Sequence, residues 1–144
     1  MHRRPRLSVL LTALLLAGCG GGLEAGPDAG DPACPGVLGR LPGTLLGETR
    51  GSTEVAGAAV WGDPEIRLRC GVEAPGPTTD RCITVDGVDW VFTEPGGDLR
   101  FTLYGRSPAV ELTVPASYGR EKAPGALTDL TSAVRSLPQS RRCE

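Results

Sequence analysis

The sequence predicts an α+β domain: an antiparallel β-meander with a C-terminal helix packed on one face, stapled by disulfides. Three observations predict it. Short segments between Ala58 and Val114 alternate apolar and polar residues, separated by turns of Gly, Pro and Asp; that is the pattern of strands with one buried face. Leu127, Leu130, Val134 and Leu137 then recur at three- and four-residue spacing, which is helical. Finally, five cysteines are present, and Cys19 stands apart from the other four.

The chain opens with His2, Arg3, Arg4, Pro5 and Arg6 and continues as an apolar run from Leu7 to Leu16. A basic start followed by a short apolar run marks a secretory signal peptide. The run is about half of the roughly 20 residues that a membrane-spanning helix needs. Leu16-Ala17-Gly18-Cys19 follows and resembles the lipobox of bacterial lipoproteins. In that family the thiol receives a diacylglyceryl group and the signal is cut off before it. Residues 1–18 are therefore read as a lipoprotein signal peptide and Cys19 as the lipidation site. Two or three acyl chains together anchor a protein durably. Arg3-Arg4 also suits the twin-arginine export route, although Pro5 and the lack of a preceding polar residue speak against it.

From Gly20 to Ala33 the chain is mostly Gly, Pro and acid, so residues 19–33 are read as lipidated cysteine plus flexible tether. A flexible stretch of that length averages roughly 20 Å end to end, keeping the domain near the headgroups. Residues 34–144 remain as a single domain.

Cys34 to Leu46 is apolar but punctuated by Gly and Pro, enough for one short helical turn. Ala58-Ala59-Val60-Trp61 reads as a buried strand, ended by Gly62-Asp63-Pro64. Glu65 to Cys70 alternates strictly, with Ile66, Leu68 and Cys70 on one face. Gly71 to Arg81 is a loop. Cys82 to Val85 and the strand carrying Val88, Trp90 and Phe92 flank Asp86-Gly87, a strong tight-hairpin signal. Leu99, Phe101 and Leu103 form the next inward row, and Val110, Leu112 and Val114 the last, with Glu111 and Thr113 outward. The apolar face needs a cover. The helix through Leu127 to Leu137 supplies it, with Thr128 as expected N-cap and Pro138 as the stop.

Cys34, Cys70, Cys82 and Cys143 allow three pairings. The expectation is Cys70–Cys82, closing a local loop, and Cys34–Cys143, tying the domain's ends together. A metal site is disfavoured, because no close Cys-x-x-Cys pair exists and an oxidising compartment consumes thiols.

Removing the signal takes Arg3, Arg4 and Arg6 from 15 basic residues, leaving 12 against 17 acidic ones, a net charge of −5. Such a balance argues against nucleic acid as partner. The single histidine, His2, leaves with the signal, so the mature chain has no Ser-His-Asp or Cys-His arrangement. No phosphate-binding Gly-rich motif and no cofactor signature is present. Carboxylates remain: Asp63 and Glu65, Asp86 and Asp89, Glu94 and Asp98 flank turns and are read as solvated surface. Asp86-Gly87-Val88-Asp89 lacks the oxygen density of a calcium loop. Trp61 and Trp90 suit core packing, with a stacking platform for a ligand as the sharper reading. Arg67, Arg69, Arg100 and Arg106 sit at outward strand or turn positions, where they could bind an anion or pair with neighbouring acids. Trp61, Asp63, Trp90, Arg67 and Arg69 are nominated as a ligand or partner surface.

Residues Trp61 to Val72, Gly87-Val88-Asp89-Trp90, Val114-Pro115-Ala116-Ser117-Tyr118, Leu127-Thr128-Asp129-Leu130, Ala133-Val134 and the closing Cys143 together resemble the actinobacterial domain-of-unknown-function 3515 family of secreted proteins and lipoproteins. Trp61-Gly62-Asp63-Pro64 is the most specific block. The resemblance implies an envelope protein of high-G+C Gram-positive bacteria and carries no known catalytic residues. The expected function is therefore a lipid-anchored, extracytoplasmic and non-enzymatic binding module. Its partners would be the membrane, through Cys19, and an envelope protein or glycan. The alternative is a carboxylate-based hydrolase acting on cell-wall glycans.

Overall fold

The computed structural model describes residues 22–144. The signal peptide, Cys19 and the first residues of the tether lie outside the described residues.

The described chain runs α1 (Cys34–Gly39), β1 (Thr44–Leu45), β2 (Glu48–Thr49), β3 (Ala58–Trp61), β4 (Ile66–Val72), β5 (Arg81–Val85), β6 (Val88–Thr93), β7 (Leu99–Leu103), β8 (Ala109–Val114) and α2 (Ala123–Val134). β1 and β2 form a small hairpin, and the other six strands form one sheet in the order β3-β4-β8-β7-β6-β5. Every neighbouring pair is antiparallel. β5 to β8 are the expected meander. The long loop after β4 carries the chain to the far edge, so β8 closes against β4.

Strict alternation gives the sheet two unlike faces. Ile66, Leu68 and Cys70 of β4 share the inner face with Leu99, Phe101 and Leu103, with Val110, Leu112 and Val114, and with Trp90. All are buried, and α2 covers them through Ala123, Ala126, Leu127, Leu130, Ala133 and Val134, with α1 alongside through Cys34 and Val37. At the β5–β6 turn, Asp86 and Gly87 both take positive φ, 50° and 77°, as a two-residue hairpin with the expected Asp-Gly requires.

Helix α2 begins six residues earlier than expected and ends at Val134, short of Leu137. Pro124 occupies its first turn, where a missing N–H leaves no bond unmade. Thr128 is thus an exposed mid-helix residue and not the N-cap.

The disulfides also differ from expectation: Cys34 joins Cys70, and Cys82 joins Cys143. Cys70 and Cys82 are near in sequence but stand on strands separated by β8, β7 and β6. Four inter-strand steps amount to roughly 19 Å, beyond any disulfide's reach. They also face opposite ways. Cys70 points into the core toward α1, whereas Cys82 pairs across from Val91 on the other face, where the C-terminal tail returns.

Residues 22–33, read as flexible tether, are instead a strap laid on the sheet. The Asp28 N–H donates to Gly71 O (2.8 Å) and the Asp31 N–H to Asp28 O (2.9 Å). At Gly71 (φ 81°) the β4–β8 register shifts, and a Cβ there would collide with the Asp28 carbonyl. The strap docks through backbone into a glycine notch, which composition alone reads as coil.

Candidate functional site

The outer face carries its charge at the centre. Register places Arg67 of β4, Thr113 of β8 and Arg100 of β7 in one cross-strand row. The next row is Arg69, Glu111 and Thr102. Opposed residues in such rows have Cβ atoms about 5 Å apart, so Arg69 and Arg100 reach the Glu111 carboxylate while Arg67 stands in the adjacent row. Alternation along β4 and β8 puts them there, with Leu68 and Leu112 buried between.

Glu111 is the hub. Its side chain is 9% exposed, Arg69 Nη2 donates to its Oε1 at 2.7 Å, and Arg100 Nε stands 3.6 Å from its Oε2. Arg69 also donates through Nη1 to the Glu24 carbonyl at 3.4 Å, which ties the strap to the cluster. Arg67 has no ion pair among the described residues, and its Nε is buried without a hydrogen-bond partner. The Arg100 Nε is likewise unpartnered as a donor. A cleft of about 200 Å³ opens over these groups, walled by Gly22, Leu23 and Glu24 of the strap and by Pro95 and Asp98 of the β6–β7 turn.

The nominated residues divide. Arg67 and Arg69 join Arg100 in the cleft. Arg106 does not: its Nη1 donates to the carbonyls of Arg135 (2.7 Å) and Leu137 (2.8 Å), capping the C-terminal end of α2 where a cation complements the dipole. Trp61 and Trp90 are fully buried and so offer no ligand platform; both belong to the inward register of their strands. The Trp61 Nε1 donates to Pro42 O at 3.0 Å. Asp63 is exposed on the β3–β4 turn and does not line the cleft.

The Trp61-Gly62-Asp63-Pro64 block therefore acts as a latch. Tyr118, beyond β8, donates its hydroxyl proton to Pro64 O at 2.9 Å. Gly62 (φ 72°) lets the Tyr118 hydroxyl and Glu48 approach the backbone closely. The Tyr118 phenol is held above its usual value of 10.0, first by loss of hydration and then by the negative Glu48 and Asp63 nearby.

The acids serve separate structural ends. Asp89 is buried and accepts from Thr84 Oγ1 (2.6 Å) and from the Cys143 N–H (2.8 Å). Glu94 pairs with Arg120, Glu65 and Asp86 are exposed, and Asp98 lines the arginine cleft. Among the described residues no group of three His, Cys, Asp or Glu is placed to hold a metal ion. No helix among them is long and apolar enough to cross a membrane.

Sequence reasoning anticipated an arginine-bearing face but missed Glu111 as its organiser. The signal was present: an acid between Val110 and Leu112 must point outward, directly across from Arg69. Which strand stands beside β4 was the missing fact.

The family model described as "Protein of unknown function (DUF3515)" matches residues 22–142. The match begins in the strap, so the strap is part of the domain. Neither the curated proteins nor the solved structures contain a match.

Proposed function

The chain belongs to the DUF3515 family, and on that premise we propose that it is a membrane-anchored extracytoplasmic lipoprotein of the bacterial cell envelope. It acts there as a non-enzymatic binding module. The observation that carries the reading is where the cysteines go. Cys34, Cys70, Cys82 and Cys143 are consumed in two bridges inside the domain, leaving Cys19 over from a total of five. Two disulfides in a small domain suit an oxidising compartment, and the residue left over is the one in the lipobox.

Binding is favoured over catalysis by the chemistry of the cleft. Of its carboxylates, Glu111 is held by Arg69 and Arg100, while Glu24 and Asp98 stand at the rim. Its guanidinium groups donate hydrogen bonds but do not give up a proton near neutral pH. The mature chain has no histidine to move one, since His2 lies in the signal. The cleft thus offers recognition of a negative group at the domain's anchored end, where an envelope protein, a glycan or a lipid intermediate could present one.

Fractionation with palmitate labelling tests the anchor. The wild type is expected in the membrane fraction with the label, and Cys19→Ala in the soluble fraction without it. Membrane retention of an unlabelled Cys19→Ala protein would overturn the reading.

A further inference from the structure

We infer that the arginine cleft is an oxyanion site that takes a phosphate group, and that the headgroups of anionic lipids beside the anchor supply it. Three observations converge. The first is the unused donor: Arg67 Nε is buried and has no partner among the described residues. A buried N–H of this kind is normally bonded, and an oxygen arriving from the cleft would complete it. The second is division of labour. Glu111 engages Arg69 and Arg100 and fixes them in place, whereas Arg67 is left with its full fork, the geometry that matches phosphate. With Glu111, the rim residues Asp98 and the exposed Glu24 bring three carboxylates against three arginines, so the attraction is local to Arg67 and is not a field over the whole cleft. The third is size. At about 200 Å³ the cleft is below the roughly 300 Å³ at which drug-sized ligand sites begin, and a headgroup's phosphate fits within it.

Position selects the source, and this step rests on the lipoprotein reading. Gly22 lines the cleft, and Cys19 is three residues upstream. Three residues span at most ~11 Å, so a lipid on Cys19 would hold the cleft against the phosphate layer. The mature chain is acidic overall, and an anionic surface repels it unless a cationic patch faces the lipid. Arg67, which has no ion pair among the described residues, is the cation the cleft presents to it.

The test uses the mature chain from residue 19 carrying Cys19→Ser, which has neither the lipid nor the basic, apolar segment 1–18, so neither can supply the vesicle binding. Cosedimentation is compared for vesicles of phosphatidylcholine alone and with phosphatidylglycerol. In parallel, inorganic phosphate is titrated while the arginine Nε–H signals are followed by NMR. The expectation is binding to the phosphatidylglycerol vesicles, weakened about tenfold by Arg67→Gln, with one buried Nε–H signal shifting in phosphate. Arg142→Gln makes the same charge change on an exposed residue and should leave binding within about twofold. Equal weakening by the two variants, or no response to either probe, overturns the site. A phosphate response without preference for phosphatidylglycerol overturns the lipid source and keeps the oxyanion site. Should Arg67→Gln misfold, Arg67→Lys retains the charge without the fork; wild-type affinity in that variant would overturn the role given to Arg67.

Discussion

The two faces of the six-stranded sheet are built from the same strands and obey opposite rules. Inward residues such as Phe101, Leu112 and Trp90 are fully buried under α1 and α2, so volume and shape decide what they tolerate. Outward residues one position away, Arg100, Glu111 and Arg69, meet each other through charge, with the strap 22–33 and the β6–β7 turn beside them. Each face has its own bridge: Cys34–Cys70 fastens α1 to the inner side, and Cys82–Cys143 fastens the C-terminal tail to the outer side. The lesson is that apolar packing is concentrated on one face and paired charge on the other. Changes to the two should therefore separate cleanly.

The sharpest break of that comparison is between adjacent residues of β7. Phe101→Ala empties the centre of the inner face and should destabilise by about 4 kcal/mol, a typical large-to-small core value. Thr102→Ala, half-buried on the outer face, should change stability by less than about 0.5 kcal/mol. Urea unfolding of both variants measures the ratio. Comparable losses would mean that the outer face is as tightly packed as the inner.

Next in size is the inner bridge. Replacing Cys34 and Cys70 together by Ala opens a connection with a sequence separation of 36 and should lower stability by about 3 kcal/mol through added freedom of the unfolded chain. Adding a reductant to the wild type should lower it further, because the outer bridge opens too. Peptide mapping without reduction checks the pairing directly: fragments linking residue 34 to 70 and 82 to 143 are expected.

What the sequence made legible follows the same division. The inner face could be read strand by strand, because a period of two exposes it wherever one side is buried. The Asp86-Gly87 turn and the α2 stripe were likewise local. The bridges, the Glu111 cluster and the strap were not, since each depends on strand order. Nothing in the alternation says that β8 returns to lie between β4 and β7, and that placement sends Cys70 to α1 and Glu111 to Arg69. The strap escaped for a different reason. Its contacts are backbone to backbone at Gly71, and such docking leaves no apolar pattern to find.

The outer face is probed by Glu111→Gln. The amide loses two charge-assisted contacts, so stability should fall by about 2 kcal/mol. Phosphate binding in the cleft should strengthen in the same variant, because one negative charge is removed from the cleft and Arg69 and Arg100 are released from it. Urea unfolding and phosphate titration of a single preparation would read both. Parallel losses would tie the cluster to folding alone and dissolve the contrast between faces.

The smallest effect tests the rim where the faces meet. Tyr118 packs at the edge of the inner core while its hydroxyl latches the polar turn at Pro64. Tyr118→Phe keeps the ring and removes the latch, for a loss of about 1 kcal/mol at neutral pH. The wild type should show a dependence that the variant lacks. Its phenol is raised above 10.0 by partial burial and by Glu48 and Asp63, so on raising the pH the unfolded chain gives up that proton before the folded one does. The stabilisation from the latch is therefore constant below the usual value of 10.0 and declines as pH climbs from there toward the folded value. Ultraviolet titration of the two tyrosines, with unfolding measured on both sides of that range, gives the check. A Tyr118→Phe variant whose stability falls along the same alkaline slope as the wild type would place the sensitive group elsewhere and reduce the latch to ring packing.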